Sequence, residues 1–170
     1  MNIFSNDTIC AQATAQGGAI SIIRVSGNRA IEITSSIFSK DLTKAKGYSL
    51  HYGNIIQLTN SEILKSASYT PNIIDDVIVS VFRAPHSYTG EDSTEISCHG
   101  SRYIVQKIME NLIAAGARLA TPGEFTKRAF LNGKLSLTQA EAVNDIIHAK
   151  TDNALWAAVN RLEGGISKPI

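Results

Sequence analysis

Three features of the sequence carry charged residues that could contact a ligand. Arg24 ends an apolar run, Glu95 follows a loop of turn-forming residues at 84–92, and Lys134 ends a segment rich in lysine and arginine. Guanidinium and ammonium groups donate hydrogen bonds to anions, whereas a carboxylate accepts them from donor-rich groups. Each residue also has a simpler interpretation: an arginine reaching solvent, an exposed carboxylate beside a capped turn, and a charged helix end stopped by Gly133.

Several common chemical sites are absent from the sequence. The Gly-Lys pair ending at Lys134 is not a phosphate-binding loop. That motif needs a glycine five residues before the pair and a serine or threonine after it, where this chain has Arg128 and Leu135. Cys98 and His99 are adjacent without a second pair at ligand spacing, so no metal site is expected. The histidines are scattered, at positions 51, 86, 99 and 148, and each is interpreted as structural or solvated.

The first two thirds of the chain show an irregular alternation of strand and helix patterns. Residues 6–57 predict strand, strand, helix and strand, and residues 19–25 have the nearly continuous apolar character of a strand buried on both faces. Ser26 is expected to cap the helix, over residues 28–38. The remaining predictions are a variable loop at 59–72, strands at 73–82 and 94–98, and an amphipathic helix from about 104 to 116.

The pattern changes after Pro122, where strand signals stop. Residues 124–131 predict a helix, and Ser136 and Gln139 have the spacing of a capping box at the start of another. Thr151 is expected to cap a third helix. These amphipathic helices have few apolar partners in the remaining sequence, so we expect the chain to be part of a longer protein whose later residues cover them.

Composition limits the classes of protein to consider. The 170 residues are 44% apolar and 18% charged, with 16 Lys and Arg against 15 Asp and Glu. An apolar core is therefore feasible, and the balanced charge without a basic tail disfavours direct nucleic-acid binding. No apolar run approaches the roughly 18 residues of a membrane span, and the N-terminus does not resemble a secretory signal. Two cysteines are too few for a disulfide framework, so a cytoplasmic location is expected.

Taken together, these segments resemble the N-terminal part of the MnmE (TrmE) family of tRNA modification GTPases. The similar segments follow the family order over essentially the whole chain, and the long block at 122–134 is the most specific. The matching segments are 6–9, 11–14, 22–27, 87–92, 98–100, 122–134, 137–142 and 162–165.

The resemblance implies a fold, cofactors and partners. The N-terminal domain is expected to be similar to tetrahydrofolate-binding domains of one-carbon enzymes, to form a homodimer and to bind 5-formyl- or methylene-tetrahydrofolate. A helical domain follows, interrupted by a GTPase domain that needs potassium and magnesium. With its partner MnmG (GidA), the whole protein is expected to install an aminomethyl-type group on the wobble uridine of certain tRNAs. We expect the 170 residues to stop inside the helical domain and to lack GTPase activity.

The resemblance also assigns Arg24, Glu95 and Lys134 as folate contacts. One carboxylate can bind the donor edge of a pterin through two parallel hydrogen bonds, which suits Glu95, and the anionic glutamate tail suits Arg24 or Lys134. Which cation meets the tail stays open. The chain departs from the family at residues 14–18, a shorter turn without the family's arginine, and at Ser101, where the family has glycine. A ligand contact from this turn is therefore left open.

We predict an α+β protein with two parts. Residues 1–120 form a folate-binding and dimerisation domain with a mixed β-sheet and packed helices, and residues 121–170 begin an all-α domain. No catalytic residue is expected within the chain. Two alternatives belong to other classes: a purely structural dimerisation module, which the altered turn at 14–18 favours, and a direct tRNA-binding module, which the balanced charge disfavours.

Overall fold

The computed structural model describes residues 7–58 and 72–164. Apart from its last residue, the predicted loop at 59–72 lies outside the described residues. Within them the chain forms two compact units. The first comprises residues 7–58, 72–87 and 91–121, and the second comprises residues 88–90 and 122–164.

The strands described in the first unit form one mixed sheet. In chain order they are β1 (Ile9–Gln12), β2 (Ile20–Ser26), β3 (Ser49–Ile56), β4 (Ile73–Phe82), β5 (Ser93–His99) and β6 (Arg118–Leu119). Their order across the sheet is β3-β4-β5-β2-β1-β6. Neighbours are antiparallel except β1 and β6, which are parallel. Together with the helices, this sheet confirms the predicted α+β class.

Two helices, α1 (Ala30–Ser36) and α2 (Arg102–Ala114), share one apolar core with the sheet. Ile33 of α1 and Ile108 and Leu112 of α2 are buried. Burying each such side chain contributes about 1.5–3 kcal/mol to folding. Because side chains alternate along a strand, the opposite face carries the intervening residues. The strand residues in this core are Cys10, Ile23, Val25, Ile55, Val77, Val79, Val81, Ile96 and Cys98.

The start of α1 shows that the prediction of Ser26 as the cap of a helix over 28–38 was wrong. The helix is two residues shorter at each end, and its N-cap is Arg29, which makes no side-chain cap hydrogen bond. Thr8 Oγ1 instead accepts a hydrogen bond from the Arg29 backbone N–H at 3.2 Å, and Ser26 Oγ donates to Glu91 Oε2 at 2.8 Å. The hydroxyl of Thr8, distant in the sequence, therefore satisfies a donor at the start of the helix, whereas Ser26 binds a residue of the loop before β5.

The second unit is helical, as the sequence predicted. Ser136 Oγ accepts a hydrogen bond from Gln139 N at 3.2 Å, and Gln139 Oε1 accepts one from Ser136 N at 2.9 Å, so the capping box is confirmed. Thr151 Oγ1 accepts from Ala154 N at 3.2 Å and caps the next helix. The helices are α3 (Glu124–Leu131), α4 (Leu137–His148) and α5 (Asp152–Leu162).

A buried ion pair lies within α3. Glu124 and Arg128 are one helical turn apart, Arg128 Nη2 lies 3.2 Å from Glu124 Oε1, and their side chains are only 5% and 1% exposed. The segment ends as a charged helix stopped by Gly133, but the charge of Arg128 is buried and paired within the helix. Removing one member of a buried pair typically costs 3–5 kcal/mol, so α3 depends on keeping both.

Candidate ligand-binding site

The pairing of β2 with β5 places Arg24 directly opposite Glu95, although the two residues are 71 positions apart in the sequence. Their chain neighbours Ile23, Val25 and Ile96 are fully buried in the core. Because side chains alternate along each strand, Arg24 and Glu95 both point to the opposite face of the sheet. The fold thereby makes two distant charged residues adjacent on one surface.

Arg24 and Glu95 form an ion pair with one carboxylate oxygen engaged. Arg24 Nε donates to Glu95 Oε1 at 2.9 Å, and Arg24 Nη2 lies 2.8 Å from the same oxygen. Each side chain is 25% exposed. Within the described residues, Glu95 Oε2 accepts no hydrogen bond. A carboxylate has about four lone-pair sites, so the guanidinium orients this group while leaving it able to accept hydrogen bonds from a ligand.

Small residues flank the pair across the sheet. Ser80 of β4 lies opposite Glu95, and Ala11 of β1 lies opposite Arg24. Leu50 of β3 lies opposite Ser80 and extends the row to the edge of the sheet, where its side chain is exposed. The charged pair therefore stands beside short side chains on a partly exposed face of the sheet.

Acidic residues in the loop before β5 form hydrogen bonds and an ion pair with residues at the ends of β2 and β4. Glu91 Oε2 accepts a hydrogen bond from Ser26 Oγ at the end of β2. Asp92 Oδ1 accepts one from the backbone of Ala84 at 2.9 Å, and Arg83 Nη1 lies 3.4 Å from Asp92 Oδ2. Glu91 and Asp92, in the loop predicted at 84–92, thus support the ends of β2 and β4, which helps to fix the strand that carries Glu95.

Lys134 belongs to the second unit, where it follows α3 and is exposed. Its backbone N–H donates to Ala129 O at 2.8 Å. Of the three predicted folate contacts, the structure brings Arg24 and Glu95 together in the first unit and places Lys134 in the second. Their meeting at one ligand stays a prediction.

A second polar pair, Asp75 and His99, was not predicted from the sequence. Asp75 Oδ1 lies 2.7 Å from His99 Nδ1, and Asp75 Oδ2 accepts a hydrogen bond from the His99 backbone at 2.8 Å. Asp75 is buried, whereas the His99 side chain is exposed. The carboxylate therefore fixes both the imidazole and the end of β5. Only the packing of β4 beside β5 brings the two together, so the local sequence contained no signal for the pair.

Both cysteines are buried free thiols in the first unit. Burial raises the pKa of Cys10 to about 11. Burial likewise raises the pKa of Cys98 to about 11, with a further contribution from the negative charge of Asp75. Thiolates are the reactive form of cysteine, so neither thiol is suited to nucleophilic chemistry at neutral pH.

The turn at residues 14–18, where the chain departs from the family pattern, borders a pocket of about 210 Å³. Gln16 and Gly17 of the turn line it together with Gly100 and Arg102. The two segments approach closely, because a Cβ atom on Gly100 would lie 1.7 Å from the carbonyl oxygen of Gly18. Glycine at position 100 is thus required by the backbone packing at this turn.

The described residues contain no cluster of three or more His, Cys, Asp or Glu side chains arranged to bind a metal ion. The longest helix within residues 7–58 and 72–164 is α2, with 13 residues. No helix in these ranges is long and apolar enough to cross a membrane.

Comparison with known proteins places these features in a family. The family model described as "GTP-binding protein TrmE N-terminus" matches residues 8–134. This chain belongs to that TrmE N-terminal family. The matched region contains Arg24, Glu95 and Lys134, and Lys134 is its last residue.

Similar full-length relatives carry one name. The tRNA modification GTPase MnmE of Phocaeicola vulgatus is 50% identical over 195 residues, which cover 100% of this TrmE-family chain and 39% of the relative. Proteins of the same name from Bacteroides thetaiotaomicron and Bacillus cytotoxicus are 53% and 49% identical over 98% and 96% of the chain, and 34% of each relative is covered. The chain therefore spans 34–39% of the length of these relatives.

Proposed function

We propose that this chain is the ligand-binding and self-associating part of a tRNA modification GTPase, and that its ligand is a tetrahydrofolate one-carbon donor, 5-formyl- or methylene-tetrahydrofolate. The observation that carries the proposal is the Arg24–Glu95 pair, which lies on a partly exposed sheet face and in which no hydrogen bond from residues 7–58 or 72–164 occupies Glu95 Oε2. The resemblance to tetrahydrofolate-binding domains supplies the ligand class.

The chemistry of the pair suits a pterin. The carboxylate of Glu95 accepts hydrogen bonds from the donor edge of the ring, and Arg24 holds that carboxylate in place through Oε1. The glutamate tail of a folate is anionic and needs a cation. We take Lys134, whose side chain is exposed, as the candidate for the tail.

Calorimetric titration with 5-formyltetrahydrofolate tests the proposal directly. We expect saturable binding to the wild-type chain and much weaker binding of a pterin that lacks the glutamate tail. Without binding at ligand concentrations up to about 1 mM, near −4.1 kcal/mol, the folate proposal fails and the purely structural alternative is favoured.

The whole protein is proposed to use the folate-bound one-carbon unit together with MnmG (GidA). The product would be an aminomethyl-type group on C5 of the wobble uridine of tRNA, formed in the cytoplasm. GTP, potassium and magnesium would serve a GTPase domain. Residues 1–170 contain no phosphate-binding loop, so we assign GTP hydrolysis to the part of the relatives beyond the aligned region. Potassium-stimulated GTP hydrolysis by this chain alone would contradict that assignment.

Self-association is proposed to use the sheet surface that carries Arg24 and Glu95. Leu50 and Tyr52 of the edge strand β3 are 72% and 64% exposed, and Ile78 of β4, opposite Tyr52, is also exposed. Exposed apolar clusters of this kind mark interaction surfaces. We propose a second copy of this chain as the partner at this surface. The family resemblance implies a homodimer, and the exposed apolar residues adjoin the Arg24–Glu95 pair on the same face of the sheet.

Sedimentation equilibrium at tens of micromolar tests this interface. Leu50→Asp is expected to lower the apparent mass to that of a monomer, because it buries a charge against the partner. Ile113→Asp replaces an exposed apolar residue on α2 and serves as the matched control. A monomeric wild type, or equal loss of association in both variants, would count against the proposed surface.

A further inference from the structure

The C-terminal end of α3 fixes the backbone of Lys134. Asn132 is the C-cap, and Gly133 follows with a left-handed φ of +71°. The N–H of Gly133 donates to Phe130 O at 3.0 Å, and the N–H of Lys134 donates to Ala129 O at 2.8 Å. These two bonds form a Schellman motif, which satisfies the last carbonyls of the helix. The direction in which Lys134 leaves the helix is therefore set by the backbone.

A short segment from elsewhere in the sequence packs against the same helix end. Asn132 Nδ2 donates to the carbonyl oxygen of Thr89 at 2.7 Å, and Thr89 is buried. One residue earlier, the hydroxyl of Tyr88 lies 3.0 Å from Thr126 Oγ1 on α3. Two hydrogen bonds to α3 or its C-cap thus hold the segment Tyr88–Gly90 within the second unit.

Gly90 brings this segment against the side chain of Lys134. A Cβ atom on Gly90 would lie 3.1 Å from Lys134 Cγ and 3.2 Å from Asn132 Cβ, which is tighter than ordinary packing. The φ of Gly90 is +80°, a conformation that favours glycine. The aliphatic stem of Lys134 consequently runs over a bare stretch of backbone, and that backbone is held in place by Asn132.

We propose that Asn132 is a positioning residue for ligand binding, which acts by holding Gly90 beneath the stem of Lys134. The inference rests on the proposed function, in which the Lys134 ammonium binds the anionic tail of a folate. A long, flexible lysine loses side-chain entropy when it binds a ligand, and a side chain already confined by packing loses less. Asn132 would therefore raise affinity without touching the ligand.

A double-mutant cycle with 5-formyltetrahydrofolate tests this inference. Binding is measured by calorimetry for wild type, Asn132→Ala, Lys134→Ala and the double variant. Asn132→Ala is expected to weaken binding by about 2- to 12-fold, the range for loss of one neutral hydrogen bond. In the Lys134→Ala background the same change should have no further effect, because the side chain that it positions is missing. Asn153→Ala, at an exposed asparagine on α5, is the matched control.

Each outcome decides between a positioning and a structural role. Equal weakening by Asn132→Ala in both backgrounds would indicate a structural role and would overturn the inference, as would unchanged binding in the single variant. If Asn132→Ala does not fold, Tyr88→Phe removes one hydroxyl from the same segment and enters the same cycle.

The same titrations distinguish failure of this inference from failure of the proposed function. A wild type that does not bind overturns both proposals. If the wild type binds and Lys134→Ala binds equally well, Lys134 is not a ligand contact and the inference is overturned, while a folate site at Glu95 remains tenable.

Discussion

Replacing Glu95 with alanine is expected to separate ligand binding from folding. The substitution removes the carboxylate that accepts hydrogen bonds from the ligand. A hydrogen bond to a charged group contributes about 1.5–3 kcal/mol, so the affinity for 5-formyltetrahydrofolate should fall by about 10- to 150-fold. Arg24 remains on β2 and cannot replace a hydrogen-bond acceptor, because a guanidinium group only donates.

The cost to stability should be much smaller, and the exposure of the pair gives the reason. Each side chain is 25% exposed, so water screens the ion pair in the folded chain. Partly exposed pairs of this kind contribute about 0.2–1 kcal/mol. After the substitution, water can hydrate Arg24, which avoids the 3–5 kcal/mol cost of leaving a fully buried charge without its counterion. We therefore expect the free energy of unfolding to fall by no more than about 1 kcal/mol.

Calorimetry and urea unfolding at pH 7 measure the two quantities on the same preparation. Glu32→Ala provides the matched control, because Glu32 of α1 forms a salt bridge of the same length, 2.8 Å, with Arg29. Both variants lose one negative charge and one ion pair. Only Glu95→Ala should weaken folate binding.

Two results would refute this reasoning. Wild-type affinity in Glu95→Ala would mean that the carboxylate does not contact the ligand. A loss of more than about 3 kcal/mol in unfolding free energy would mean that Glu95 acts as a buried structural group, and weakened binding would then report a damaged fold.

The remaining predictions concern stability. Ser136→Ala should cost about 0.5–2 kcal/mol in urea unfolding, because it removes the hydroxyl that caps α4; an unchanged midpoint would show that the capping box contributes nothing. Gly100→Ala should cost about 3 kcal/mol or more by the same measurement, since its Cβ would meet the Gly18 carbonyl at 1.7 Å; near-wild-type stability would contradict this close approach. Burial raises the pKa values of Cys10 and Cys98 from 9.0 to about 11, so the folded state favours the neutral thiols. Their contribution to the free energy of unfolding is therefore complete below pH 9 and is lost as the pH rises towards 11. The double alanine variant should therefore show a flatter fall in stability from pH 9 to 11 than wild type, and parallel curves would exclude the thiols as the cause.

The sequence correctly predicted the elements whose formation depends on residues close together in the chain. The β4 strand at 73–82 was predicted from its apolar pattern, and the Ser136–Gln139 capping box was predicted from residue types at a fixed spacing. β6 was missed because two residues carry no periodic signal. Its backbone forms a strand only because β1 lies alongside it.

Contacts between distant residues could not be predicted in the same way. Arg24 and Glu95 were predicted separately as candidate contacts, but only the register between β2 and β5 makes them opposite neighbours. The pair of Asp75 and His99 depends on strand packing as well. Ser26 was misassigned because Thr8, close in space and not in sequence, satisfies the donor at the start of α1.

The Thr89–Asn132 hydrogen bond has a consequence for the order in which the nascent chain acquires its structure. The two residues are 43 positions apart, so at 5–20 residues per second the ribosome needs roughly 2 to 9 s to add Asn132 after Thr89. Throughout that interval the Thr89 carbonyl must be hydrated or bound elsewhere. The segment Tyr88–Gly90 of the second unit is thus synthesised before β5 but gains this bond only after α3 and its C-cap have been made. A nascent chain released before residue 132 would leave Tyr88–Gly90 without this bond, so the second unit cannot be completed until Asn132 has been added.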